Sequence, residues 1–99
     1  MSEITVRGKQ VVVRTSFRGR EWYSLPADFR KAVRAREAGD YAGAVPFLAR
    51  VIEAWEFDGD PADVAAYEGL EVMAELVPLT GAVLGAVAEA AFPKTDAGE

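Results

Sequence analysis

The chain has 99 residues, 51% of them hydrophobic and 27% charged, which is the size and balance of one small globular domain rather than a disordered segment. It contains no cysteine and no histidine. That excludes disulfides, thiolate chemistry, cysteine-based zinc and iron–sulfur sites, and removes the commonest general base and metal ligand. The composition points to a binding or assembly protein, not to an enzyme.

The net charge of −5 hides a polarity along the chain. Residues 1–36 carry nine basic side chains against three acidic ones, while residues 37–99 carry two basic and thirteen acidic. Such a division suits either a nucleic-acid-binding head or a basic face that meets an acidic one. The first residues do not form a charged and then apolar leader. The most apolar stretch, residues 77–92, is read as too short for a bilayer and is interrupted by Pro78 and Glu89. The expectation is a soluble protein of a reducing cytoplasm, with no membrane contact.

In chain order, Ile4 and Val6 and then Val11, Val13, Thr15 and Phe17 alternate with polar residues around a turn at Gly8-Lys9. This predicts an N-terminal β-hairpin over residues 1–20, with Arg14 and Arg18 on one exposed face of its second strand. Gly19 either ends that strand or begins a tight turn.

Helical periodicity follows over residues 24–92. Ser24 and Pro26 predict a first helix start, with Phe29, Ala32 and Val33 facing inward and Gly39 closing it. Asp40 can cap a second helix, placed firmly at residues 46–55 with Phe47, Leu48, Val51, Ile52 and Trp55 buried, Pro46 leaving its start open and Tyr41–Ala44 standing as an extra turn before it. Asp60-Pro61 is read as the N-cap and first position of a third helix, running to Val77 with Val64, Tyr67, Leu70, Met73 and Val77 inward, and Pro78 as its stop. Thr80 is read as the cap of a fourth, with Val83, Leu84, Val87 and Ala91 facing in and Pro93 ending it. The fold class is thus α+β, a hairpin followed by three to four packed helices, in one domain over residues 1–93 with a frayed tail at 94–99.

Candidate sites are few. Glu56, Asp58, Asp60 and Asp63 form an acidic cluster, but its spacing is not that of a calcium loop, and helix caps and a turn account for it. No metal and no cofactor is expected. Arg14, Arg18 and Arg20 with Trp22 and Tyr23 combine cations and rings, as a single-strand platform would. The acidic pI of about 4.7 argues against nucleic acid. Residues 37–45 have the look of a tetratricopeptide junction, yet one unit does not make a stack, so an ordinary helix–turn–helix is expected. Trp22 and Trp55 are expected in the core. No catalytic constellation or phosphate loop is present.

From Arg50 onward the order is an apolar helix ending in Trp55, with Glu56 and Phe57 after it, an acidic turn Asp58-Gly59-Asp60-Pro61, a helix with Tyr67 and Leu70, and a short apolar helix. This order, taken with Gly19-Arg20-Glu21-Trp22, resembles the small tail assembly chaperones of long-tailed bacteriophages. The resemblance implies a non-enzymatic protein of the host cytoplasm that coats the tape measure protein, helps the tail tube protein assemble around it, and leaves before the virion is complete. It also implies a short form and a frameshifted longer form. The charge division adds self-association, with Arg14, Arg18, Arg20, Trp22, Glu56 and Asp58 as the partner-binding residues. The alternatives are a virion connector or tail-completion protein, and a small nucleic-acid-binding regulator using the basic half.

Overall fold

The computed structural model describes residues 2–14, 16–17 and 19–91, without the side chains of Glu21, Trp22 and Ala91. The fold is α+β. A three-stranded antiparallel sheet is formed by β1 (Ser2–Val6), β2 (Lys9–Val13) and β3 (Ile52–Trp55) in the order β1-β2-β3. Helices α1 (Gly19–Glu37), α2 (Tyr41–Val51) and α3 (Val77–Ala91) complete it. A 3-10 helix (Val64–Gly69) and a π turn (Val72–Leu76) lie between β3 and α3. The expected tail, with Phe92 and Pro93, lies outside the described residues.

The hairpin forms with a shorter second strand and a different turn. Arg7 (φ 53°) and Gly8 (φ 78°) are both left-handed, and Val6 pairs with Lys9. Two positive φ angles give the turn whose twist matches that of the flanking strands. Lys9 is therefore in β2, not in the turn. β2 stops at Val13, so Arg14 is not on a strand face. Arg18 lies outside the described residues.

β3 is the main correction to the expected elements. Residues 46–55 do not form one helix. α2 begins earlier, at Tyr41, and ends at Val51, where Ile52 turns extended while its N–H still bonds Leu48. Val11 pairs with Trp55, Val12 with Ala54 and Val13 with Ile52, so Glu53 bulges. The Arg14 N–H to Val51 carbonyl bond (2.7 Å) and the Glu56 N–H to Gln10 carbonyl bond (3.1 Å) extend this ladder at both ends. β1 covers only one edge of β2, and pairing the other edge satisfies backbone groups that a longer α2 would leave bare.

Proline does not stop these helices where expected. α1 starts at Gly19 rather than near Ser24 and carries Pro26 inside it, and α2 carries Pro46. Pro78 lies at the second position of α3. It supplies no N–H, and the turn before it widens: Leu76 bonds back to the Glu71 carbonyl and Val77 to that of Val72, both five residues away. Thr80 is not a cap but a buried residue within α3, its hydroxyl donating to the Leu76 carbonyl at 2.8 Å. The π turn and α3 run on as one apolar helix, Val72–Ala90, of mean hydropathy 1.5. By length and composition alone that stretch reaches what a bilayer span takes, which the shorter reading of it missed.

Two expected boundaries hold. α1 closes on Gly39 (φ 80°), with Gly39 N–H to Arg36 and Asp40 N–H to Ala35. That pair of bonds is the Schellman closure, which needs a left-handed residue at this position. Asp40 then caps α2 by accepting the Gly43 N–H at 3.1 Å. The junction is an ordinary helix–turn–helix. The core joins Val11 and Val13 of the sheet, Leu25 of α1, Leu48 and Val51 of α2, and Leu79, Val83 and Val87 of α3.

A candidate protein-binding groove

The segment joining β3 to α3 is where the structure departs most from a regular helix, and its shape follows from a few side chains. Gly59 (φ 88°) allows the turn after β3 and brings it against Ala66. Trp55 Nε1 donates to the Gly59 carbonyl at 2.8 Å, and its ring lies 4.7 Å from Tyr67 and 5.5 Å from Phe57. Tyr67 is buried and its hydroxyl donates to the Pro61 carbonyl at 2.7 Å. Burial, and secondarily the charge of Asp60, push its phenol well above the usual tyrosine range. Lys9 sits 5.0 Å over the Phe57 ring.

The expected third helix does not start at Asp60. Asp60 accepts the Ala62 N–H (2.9 Å) in a local turn, and Asp63 caps the 3-10 helix by accepting the Ala65 N–H (3.0 Å). Nor does that segment keep one buried stripe. Tyr67 and Leu76 are buried, but Val64 is 48% exposed, Val72 50% and Met73 76%. Switching from 3-10 to π winding breaks the 3.6-residue period, so side chains a regular helix would align diverge around the axis.

Of these side chains, Val64, Tyr67, Val72 and Leu76 line an open groove of about 210 Å³ between α2 and the 3-10 and π segments. Val45, Val64, Tyr67, Leu70, Val72 and Leu76 line it, and Glu68 is its charged member. A second cleft of about 240 Å³ lies between the hairpin end and the 3-10 helix, with Lys9, Asp58 and Glu75 on its walls. A third, of about 150 Å³, lies between α1 and α2 beside the Asp28–Arg50 ion pair.

The residues singled out in the sequence do not converge. Arg14 and Glu56 lie at opposite ends of β2, about 13 Å apart along the strand. Each is held within the molecule. Arg14 lies 4.9 Å over the Phe17 ring, and Glu56 Oε1 accepts the Gln10 N–H at 2.7 Å. Asp58 is exposed in the loop after β3, and Arg20 is exposed on the first turn of α1. Trp22 is in α1, its side chain outside the described part. Trp55 is only half buried. Among the described residues no three acidic side chains gather as a cation site would require.

A different basic surface emerges instead. Arg20, Tyr23, Ala27, Arg30, Lys31 and Arg34 are all exposed and fall on one side of α1 at helical spacing. They extend for about 20 Å and include no acidic position. Among the described residues Arg20, Arg30, Lys31 and Arg34 have no ion-pair partner. Tyr23 is 85% exposed. Sequence reading stopped the basic patch at the hairpin because it began α1 five residues late. Comparison with protein-family models, with curated proteins and with solved structures found no match.

Proposed function

We propose that the chain is a non-enzymatic protein-binding module that shields an apolar segment of a partner. The observation that carries this reading is the apolar groove whose lining residues Val64 and Val72 are half exposed, with Met73 exposed next to Val72 in the chain. Exposed apolar surface of this kind, bordered by charge, is how protein contacts are commonly made. The resemblance to small phage tail assembly chaperones makes the tape measure protein the partner, with the tail tube protein assembling around it in the host cytoplasm as this chain leaves. The helix read as ending in Trp55 is a strand, so the resemblance now rests on residue order rather than on that helix. The test is co-expression with the tape measure protein of a long-tailed bacteriophage. The soluble yield of tape measure protein is expected to rise with this chain and to fall back with the double variant Val64→Ser, Met73→Ser. A tape measure protein equally soluble with and without the chain overturns the reading. Mass spectrometry of purified virions separates a chaperone, which is absent, from a connector, which persists.

The basic face of α1 supports a second reading, contact with a nucleic-acid backbone. Four cations on one side of α1 with an exposed ring suit a single strand. Binding of a labelled oligonucleotide that weakens steeply with salt and is lost in Arg30→Glu, Arg34→Glu would favour it.

A further inference from the structure

Resting on the reading of the groove as a protein-binding site, we infer that its occupant is an amphipathic helix carrying lysine or arginine beside its apolar face. The argument is one of size, then shape, then charge. At about 210 Å³ the groove is smaller than the roughly 300–1,000 Å³ of small-molecule sites, so it takes one or two anchoring side chains rather than a cofactor. Its walls are α2 on one side and the 3-10 and π segments on the other, and neither offers an unpaired strand edge. Main-chain pairing with an extended peptide is therefore not available, whereas an apolar helix face can lie in the groove. Val72 in its lining is half exposed, and Met73, the next residue of the π turn, is exposed with an unbranched side chain that can adjust to different anchors.

The charge is one-sided. Between positions 51 and 91 there is no lysine or arginine. Glu68 lines the groove, the exposed Asp63 and Glu71 precede its lining residues Val64 and Val72 in the chain, and Asp40 lies at the start of α2. Lys9 lines the neighbouring cleft, over the Phe57 ring, and two arginines are paired elsewhere. Arg7 pairs with Glu75 at 3.4 Å, and Arg50 pairs with Asp28 on the α1 side of α2. A neutral or acidic helix would meet this margin without compensation, and a basic one would be drawn to it and oriented.

The test uses the full chain and three labelled designed helices of about 18 residues, five turns. They share one leucine face and differ only in a polar face of Lys, Gln or Glu. Fluorescence anisotropy is expected to show the Lys helix binding at least about tenfold more tightly than the Glu helix, with the gap closing as salt rises. Glu68→Gln with Glu71→Gln should reduce the Lys preference several-fold. Val64→Ser with Met73→Ser should weaken all three helices. Both pairs are exposed, so their melting temperatures should stay near that of the parent, which separates lost binding from lost fold. Equal binding of the Lys and Gln helices overturns the charge requirement and leaves the shielding function standing. No binding by any helix overturns the groove as a helix site. Lys-helix binding indifferent to all four substitutions places the site elsewhere and overturns the inference as well. A dimer of the protein alone that dissociates in Val64→Ser, Met73→Ser identifies the occupant as a second copy, with the same consequence. The tape measure co-expression experiment reads the shielding function separately from all of these.

Discussion

Gly39 and Gly59 share a left-handed backbone but differ in what surrounds them. At Gly39 nothing lies within 4 Å of where a Cβ would be, whereas at Gly59 it would stand 2.9 Å from the Ala66 Cβ. Gly39→Ala is expected to cost about 1 kcal/mol, from backbone conformation alone. Gly59→Ala should cost clearly more, about 2–3 kcal/mol, because the turn must also move off the 3-10 helix. Denaturant midpoints of the two variants check this, and equal losses would show that the contact with Ala66 relaxes freely. Tyr67 makes a second comparison. Its hydroxyl bonds the Pro61 carbonyl, so Tyr67→Phe should cost about 1 kcal/mol at neutral pH. Its folded-state pKa is raised by burial, so the folded chain keeps the phenol neutral after the unfolded chain has begun to ionise near pH 10. The stabilisation is thus complete below pH 10 and is lost as pH rises above it. At pH 11 the parent should have lost about 1 kcal/mol through this group, and Tyr67→Phe should not show that part of the alkaline decline. An identical decline in both proteins would place the alkaline sensitivity elsewhere.

Which elements could be read from the sequence depended on whether local signals agreed with tertiary demands. The end of α1 was legible because Gly39 and Asp40 each supply a local chemical device, a left-handed closure and a side-chain cap. The inward face of α3 was legible because Val83, Leu84 and Val87 keep helical spacing in an uninterrupted helix. β3 was not, because Val51, Ile52 and Trp55 fit a helical stripe and a short strand equally well. What decides is the open edge of β2, formed by residues about forty positions earlier, and no window over residues 46–55 contains it. Proline misled in the same way. Pro26, Pro46 and Pro78 all sit inside helices, where packing and local rewinding offset the lost donor. The groove was the least legible feature, since its walls come from α2, the 3-10 helix and the π turn, and its exposed residues are those a regular third helix would bury. Asp40 offers the check at this scale. Asp40→Ala should cost about 1 kcal/mol and Asp40→Asn only a few tenths, because both native and Asn side chains accept the Gly43 N–H. If both variants lose the same stability, the charge of Asp40 matters more than the cap, and hydrogen exchange over residues 41–45 would not report fraying.

At the scale of the molecule the charge division becomes a division of surfaces. Four basic residues of the first half, Arg20, Arg30, Lys31 and Arg34, line the outer side of α1, whose other side packs on α2 and α3. Seven acidic residues of the second half lie exposed from β3 through the 3-10 helix to the start of the π turn, namely Glu53, Glu56, Asp58, Asp60, Asp63, Glu68 and Glu71. Apart from Arg7 with Glu75 and Asp28 with Arg50, the ion pairs among the described residues leave these two surfaces uncompensated by one another. Two unlike patches on one chain favour heterologous contacts, which close into rings or continue as open chains. The expected outcome is a weight-average mass above the 10.7 kDa monomer at low ionic strength. It should fall toward the monomer between about 50 mM and 500 mM salt, as the screening length drops well below the size of the domain. Arg30→Glu with Arg34→Glu should hold the protein monomeric at low salt without moving its melting temperature appreciably, since both side chains are exposed and without ion-pair partners among the described residues. The pair Val64→Ser, Met73→Ser should leave this association unchanged, because it lies at the groove and not on α1. Analytical ultracentrifugation of the three proteins decides the matter, and a monomer at every salt concentration would show that the charge division serves a different partner.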